Sequence, residues 1–511
     1  MLAKILSSAV EGINAYVVEV ETDISPQLPS FTTVGLPETA VKESKDRVKA
    51  AIKNSGFHFP AKKVTVNLAP ADKKKVGTGF DLPMALGILS ATGQVSCDDF
   101  GDAVCLGELS LDGTLRPVHG ILPMALKLRE LGDKKLLVPS ENASEAAIAE
   151  GLDVYPVENL TDAVRFLEEG NTIEPHRIDI DKLFETSGGY IEDFADVKGQ
   201  EQAKRALEVS SAGGHNIIMI GPPGSGKTML ARRLPTILPR LSLEEALEVT
   251  KIHSVAGRLS EGTALMATRP FRAPHHNISD AGLIGGGAYP KPGEVSLAHH
   301  GVLFLDELPE FKRNVLDMLR QPLEDGKVTI SRAAVALDYP ANFVLVAAMN
   351  PCPCGYFGDD QHECSCATGS IQKYRARVSG PLLDRIDIQI EVPAVKFKEL
   401  AKEPAGDSSS LIRERVNKAR QMQYERFKER DDIFCNAHMS SRDLHRYCPI
   451  DEHSRNLLKV AINRLGLSAR AYDRILKVSR TVADLAGSEN IQSEHVSEAI
   501  QYRSLDRNLW S

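Results

Sequence analysis

Eight consecutive residues, Gly221, Pro222, Pro223, Gly224, Ser225, Gly226, Lys227 and Thr228, have the types and spacing that hold a phosphate chain. They satisfy the pattern G-x-x-x-x-G-K-[ST] in full. The glycines let the backbone turn tightly, so that successive amide N–H groups point into one anion-sized hollow. Lys227 brings a compact positive charge to β- and γ-phosphates, and Thr228 offers a hydroxyl to magnesium. The expected ligands are therefore ATP and Mg2+. Further along, the apolar run Gly301–Glu307 ends in two carboxylates. Asp306 is suited to reach the magnesium through a water, and Glu307 to orient and activate an attacking water. A second apolar run, Phe343–Asn350, ends in an amide suited to sit near a γ-phosphate. Arg385, in SGPLLDRIDIQ, and Arg470, in SARAYDR, supply guanidinium groups of the kind that neutralise charge spread over a transferring phosphoryl group.

These side chains need a scaffold, and the flanking sequence describes one. Asn216–Ile220 is a short apolar run suited to a buried parallel strand, and Lys227–Leu234 opens a helix, which places the phosphates at a helix N-terminus. From Tyr190 to Val392 apolar strand candidates alternate with helices, the pattern of a parallel sheet with crossover helices. Residues 1–170 read as mixed α and β: Ala15–Glu21 and Lys63–Ala69 have strand composition, and a helix starts after Pro37 and stops near Gly56. From about Ser408 onward the apolar periodicity is helical. The expected fold class is thus α/β, with a mixed domain over 1–170, a linker over 171–189, a nucleotide core over 190–395 and a helical lid over 396–511.

The chain has 511 residues, enough for several cores, and the 42% hydrophobic and 25% charged composition of a water-soluble protein. No apolar run is long enough to span a bilayer. The N-terminal stretch alternates like a strand and runs into acidic residues, unlike a secretory leader, so the expected location is the cytoplasm. With 61 basic against 69 acidic residues the net charge is −8. No global positive field draws the protein to nucleic acid, which leaves a local lining as the route to DNA.

Cys352, Cys354, Cys364 and Cys366 form two C-x-C pairs directly after Asn350. Four thiolates satisfy a tetrahedral zinc ion in a closed structural site, with His362 as a possible substitute ligand; free thiols or a redox pair are the alternative. Cys97, Cys105, Cys435 and Cys448 are scattered and suit a core. Two segments carry local positive charge for a DNA-lined pore. One is Arg269–His300, with Arg269, Arg272, His275, His276, Lys291, His299 and His300, of which His275 and His276 serve the ATPase core in the alternative reading. The other is Lys327–Asp338, a hairpin pattern with Arg332 near its tip. The run Lys73–Lys75 is expected to be a solvated loop.

The phosphate loop, the Asp306–Glu307 strand, Asn350, Arg385 and Arg470 follow the order found in AAA+ ATPases. RPFRAPHHNISDAGLIGGG (Arg269–Gly287) resembles the helix-2 insert region of the magnesium-chelatase-like group, and NPCPCGYFGD and SGPLLDRID resemble the YifB/ComM family within it. The resemblance spans essentially the whole chain. It implies a ring, usually hexameric, with ATP sites between subunits, Arg385 as a finger acting on the neighbouring subunit and Arg470 as a second sensor. It also implies a DNA motor, a helicase or branch-migration translocase supporting recombination of incoming DNA. An ATP-driven remodeller of a protein partner and a chelatase-type metal-insertion motor are the alternatives. The N-terminal region resembles the Lon protease domain, through VNLAPADKKKVGTGFDLPMALGIL and GELSLDGTLRPVHGI. Gly79 stands where that family has its serine nucleophile and Leu122 where it has its lysine, so no peptidase activity is expected and the domain would serve ring assembly or an unknown protein partner.

Overall fold

The computed structural model describes residues 2–95, 102–132, 134–170, 173–186, 189–260, 262–287, 289–332, 335–359, 362–395, 406–430 and 433–505. Two compact units emerge: Met1–Ser187 with Leu243–Ala267, and Gly188–Ser242 with Thr268–Ser511. Cys97, residues 171, 172, 187 and 188 of the 171–189 linker, and 396–405 of the 396–511 segment lie outside the described residues.

In the first unit the strands are β1 (Leu2–Glu11), β2 (Asn14–Ser25), β3 (Ser30–Val34), β4 (Lys63–Ala69), β5 (Ala103–Cys105), the short pair β6 (Glu108–Leu109) and β7 (Leu115–Arg116), β8 (Lys135–Pro139) and β9 (Asp153–Val157). Seven of them form one sheet in the order β3-β4-β2-β1-β5-β8-β9. β1, β2 and β4 pair antiparallel, and β5, β8 and β9 continue the sheet in parallel. Period-two alternation explains the pairing: Val18 and Val20 of β2 and Val64, Val66 and Leu68 of β4 are buried while their neighbours are partly open. The predicted helix is Thr39–Asn54, and Gly56, at φ +85°, stops it where an L side chain would be strained.

The helix Leu243–Ala256 falls inside the second unit's stretch of sequence yet packs with the first unit, against the helix Ile121–Glu130. Ser254 Oγ and the Leu122 N–H both donate to Glu145 Oε1, at 2.5 and 2.9 Å. Burial pushes that carboxyl up, partly offset by these donors. The Lys73–Lys75 loop departs from expectation. Lys73 and Lys74 pair with Glu11 and Glu38 at the surface. Lys75 is fully buried, its ammonium donating to the Lys73 and Pro70 carbonyls. The backbone explains the difference: Lys75 N–H donates to Leu36 O and its carbonyl accepts from Glu38 N–H, drawing that residue inward.

The second unit holds β10 (Ile217–Ile220), β11 (Phe271–Arg272), β12 (Gly285–Gly286), β13 (Lys291–Pro292), β14 (Val302–Leu305), β15 (Lys327–Arg332), β16 (Val335–Pro340), β17 (Val344–Met349) and β18 (Ile388–Glu391). Its main sheet runs β11-β14-β17-β10-β18, parallel throughout. The central strands are buried on both faces, as their unbroken apolar runs require. β15 and β16 make the expected hairpin.

The C-terminal helices, among them Ser409–Phe427, Ala469–Leu485 and Ser493–Gln501, share one hydrophobic core with this sheet. They are fastened by buried polar bonds: Gln423 Nε2 to Ala212 O at 2.9 Å, the His215 ring to Thr481 Oγ1 at 2.8 Å, and Arg503 to Ile386 O at 2.5 Å. No described helix is long and apolar enough to cross a membrane.

Candidate nucleotide site

β10 delivers the chain to the glycine loop at the C-terminal edge of the parallel sheet, and the helix Lys227–Ile237 carries it away. Gly224 and Gly226 take φ +75° and +86°. Those angles close the loop over the helix N-terminus, the position at which backbone N–H groups face an anion. Gly221 has no room for a side chain, because a Cβ there would collide with the Val392 carbonyl. Its N–H donates to Met349 O at 3.2 Å, tying the loop to the end of β17.

Lys227 is almost fully buried, and its Nζ donates to Gly221 O at 2.7 Å, Pro222 O at 2.9 Å and Asn350 Oδ1 at 3.3 Å. Burial pushes its ammonium down and Asp306 opposes the shift, so a polyanion in the hollow would favour the charged form. Thr228 Oγ1 donates to Asp306 Oδ2 at 2.7 Å, so the two oxygens suited to a magnesium ion meet at one point. The donor set fits a nucleotide triphosphate with its metal: a glycine cradle, one buried cation, a hydroxyl and a carboxylate.

Glu307 follows at φ +52°, an uncommon conformation for a non-glycine residue and one that turns its side chain out of the strand line. The carboxylate is more than half exposed, and Oε2 lies 3.2 Å from His276 Nδ1. The sequence leaves His276 between a pore lining and service to the ATPase core; its contact is with the core, though Glu307 as the specific partner is not legible in sequence. Its neighbours are also engaged internally. Arg272 makes a two-pronged pair with Glu294 at 2.5 and 2.7 Å, and Arg269 donates to the Pro239, Arg240 and His300 carbonyls. His299 is buried and accepts from Asn342 N–H at 3.0 Å. Lys291 stays exposed. Arg332 closes the β15–β16 hairpin opposite Val335, and its side chain lies outside the described residues.

Lys227, Thr228, Asp306 and Asn350 therefore converge, with Glu307 beside them. Arg385 and Arg470 do not join them. Arg385 precedes β18 and pairs with Glu324; Arg470 lies 3.2 Å from Asp384. β18 is in register with β10 from Ile217↔Ile388 to Ile220↔Glu391. The residues before Ile388 thus sit at the N-terminal edge of the sheet and the glycine loop at its C-terminal edge. At about 3.3 Å per residue the two ends are at least ~10 Å apart along the strands. Both arginines line one cleft of about 440 Å³, together with Glu324, Asp384, Arg474 and Lys477.

The four clustered cysteines do come together. Their sulfurs all lie within 4.8 Å of one another, with Cys352 to Cys354 at 3.3 Å, Cys352 to Cys364 at 3.7 Å and Cys354 to Cys364 at 3.6 Å. His362 is no member of the cluster; its ring lies against Tyr356 and pairs with Asp359. Cys105, Cys435 and Cys448 are buried in cores, as expected of scattered cysteines.

Family comparison matches three consecutive stretches. Residues 193–400 match the model described as magnesium chelatase, subunit ChlI, residues 20–142 that of subunit ChlI of Mg-chelatase, and residues 406–503 that of the ChlI C-terminal region. The competence protein ComM of Haemophilus influenzae is 45% identical, covering 99% of this chain and 98% of its own length. The uncharacterized protein YifB of Escherichia coli is 43% identical over 99% and 98%. The magnesium-chelatase 38 kDa subunit of Cereibacter sphaeroides is 25% identical over 31% of this chain and 52% of its own. With its α/β core built around a complete phosphate loop and this similarity end to end, the chain belongs to the YifB/ComM family of magnesium-chelatase-like proteins.

Proposed function

We propose that this protein is an ATP-hydrolysing ring motor acting on DNA, a helicase or branch-migration translocase that supports recombination of incoming DNA in the cytoplasm. The observation that carries the ATPase part is the convergence of Lys227, Thr228, Asp306 and Asn350 on the glycine loop. The DNA part rests on near full-length similarity to a competence protein.

In this reading the backbone N–H groups of Gly221–Thr228, with Lys227, hold the phosphates, and Thr228 and Asp306 hold Mg2+. The bound metal nucleotide supplies an activated phosphoryl group. Glu307 orients a water and takes its proton, Asn350 fixes the water's position, and His276 holds the Glu307 carboxylate until then. Arg385 sits at the far edge of the sheet from its own loop, which supports a role at a neighbouring subunit's site and hence a closed ring, hexameric by family analogy, with Arg470 as the second sensor. The 396–511 helices act as a lid. The 1–170 domain is a Lon-like module without the nucleophile: position 79 faces Leu106 and Val118, and Leu122 is buried. It serves assembly or a protein partner, and casein should stay intact in the presence of ATP. The cysteine cluster adds a structural zinc site.

The test is a labelled four-way DNA junction incubated with protein and ATP, with Glu307→Gln as control. Resolution into duplex arms by wild type alone is expected. Arg332→Ala, at the hairpin tip proposed to touch DNA, should lower the slope of junction affinity against salt by about one unit. ATP hydrolysis with the junction left intact, and no strand displacement on forks, would move the protein-remodelling and metal-insertion readings ahead. The chelatase reading draws on the family models, but the chelatase subunit matches only 31% of this chain.

A further inference from the structure

The segment from Cys352 to Cys366 has no helix or strand among its described residues, yet it abuts the phosphate loop. Two hydrogen bonds tie the residues just before the segment to the loop, and one contact joins the segment itself to it. Met349 O accepts the Gly221 N–H at 3.2 Å, and Asn350 Oδ1 accepts from Lys227 at 3.3 Å. The contact is steric. Gly355, at φ +90°, lies against the Pro223 ring so closely that a Cβ would fall 2.5 Å from Cδ and 2.7 Å from Cγ.

An irregular stretch of this length cannot fix such a contact without a cross-link or a core of its own. Cys352 is fully buried, but Cys354, Cys364 and Cys366 are half-buried, so the apolar core is thin. A zinc ion with Zn–S bonds of about 2.3 Å sets tetrahedral S···S edges of about 3.8 Å. The separations among Cys352, Cys354 and Cys364, 3.3 to 3.7 Å, already approach that figure, and Cys366 lies within 4.8 Å of the other three. Surrounding groups hold the sulfurs in place. Phe357 N–H donates to Cys352 Sγ at 3.3 Å. Arg375 braces the segment, donating to Pro351 O at 3.0 Å with its guanidinium 5.0 Å from the Phe357 ring centre.

We propose that Cys352, Cys354, Cys364 and Cys366 hold one zinc ion that clamps this segment, through Gly355 and Pro223, against the phosphate loop, so that nucleotide affinity depends on the metal. The dependence rests on the reading of Gly221–Thr228 as the ATP site; the metal site itself does not.

The full-length protein is assayed for zinc by mass spectrometry. It is then stripped with a mercurial reagent and chelator, and the binding of a fluorescent ATP analogue is measured before, after, and on returning zinc. About one zinc per chain is expected, with affinity lost on the order of tenfold on stripping and regained with the metal. Gly355→Ala guards against simple unfolding, because it leaves all four thiolates in place: it should keep its zinc and still bind the analogue on the order of tenfold more weakly. Purified protein without stoichiometric zinc overturns the site. Zinc-loaded and stripped protein with equal affinity, or Gly355→Ala at wild-type affinity, overturns the clamp alone. Zinc-loaded wild type that fails to bind the analogue overturns the ATP reading and the clamp together, while the zinc count still reports on the site.

Discussion

Glu307 and His276 show what a single contact adds to a motif. The run Gly301–Glu307 announces a carboxylate pair behind a phosphate loop, because the chemistry is written in adjacent residues. The 3.2 Å approach of His276 is not, because it joins separate segments and a histidine has no local signature of its partner. A carboxylate at φ +52° and more than half exposed has freedom to swing, and the imidazole restricts it. His276→Ala should therefore lower kcat for ATP hydrolysis about tenfold with little change in nucleotide Kd. Glu307→Gln should lower it about 10²–10⁴-fold with binding kept. His276→Gln, which can still donate to the carboxylate, should recover part of the loss. An unchanged kcat in His276→Ala would make the contact ornamental to turnover. The same limit on local reading explains Arg269 and Arg272. In sequence they are exposed-looking basic residues; in the fold they are tied to carbonyls and to Glu294.

Among elements, the strands that carry the site were legible and the packing of the helices was not. β10, β14 and β17 are unbroken apolar runs, a pattern that specifies a buried parallel strand without reference to partners, whereas β18 alternates as Ile-Gln-Ile-Glu. Which helix packs on which sheet is decided by surface complementarity, and so Leu243–Ala256 went unrecognised as part of the first unit. The docking of the C-terminal helices is concentrated on one buried carboxylate. Asp387, almost fully buried at the entry to β18, pairs with Arg474, lies 3.3 Å from His215 Nδ1 and accepts from Asn216 N–H. Burial pushes its pKa up, but Arg474 and His215 outweigh burial and hold it well below the usual carboxylate range. Asp387→Ala leaves Arg474 without its counter-charge and the His215 ring without its hydrogen-bond partner, and should cost about 3–5 kcal/mol in urea unfolding of this unit. The folded pKa is depressed, so the contribution is fully present above the unfolded value of about 3.9 and is lost only as pH falls through the folded value. The gap between wild type and variant should therefore hold at pH 5 and above and narrow in stronger acid. A gap that closes between pH 7 and 5 would mean that the Asp387 carboxylate does not carry the stabilisation.

At the scale of the whole molecule, the separation of the phosphate loop from Arg385 decides how many chains make one active site. The loop lies at the C-terminal edge of the parallel sheet and Arg385 at the N-terminal edge, at opposite ends of the paired β10 and β18. A hydrogen-bonded strand pair in the core cannot fold back to bring them together, so a site that needs both must borrow one from a second copy. Two individually inactive variants distinguish the arrangements. Lys227→Ala lacks the phosphate contact and keeps Arg385; Arg385→Ala lacks the guanidinium and keeps the loop. Mixed one to one and allowed to exchange, subunits in a ring would assemble at random. Half the loops would be intact and half of those would face an intact arginine, so about a quarter of wild-type hydrolysis per site should return. If each chain supplied its own arginine, every site in the mixture would remain defective and nothing would return. Recovery that climbs from nothing toward a quarter as the two variants exchange would establish a shared site. Its absence from variants that demonstrably co-assemble would remove Arg385 from the role and reopen the choice of finger among the other arginines of the cleft.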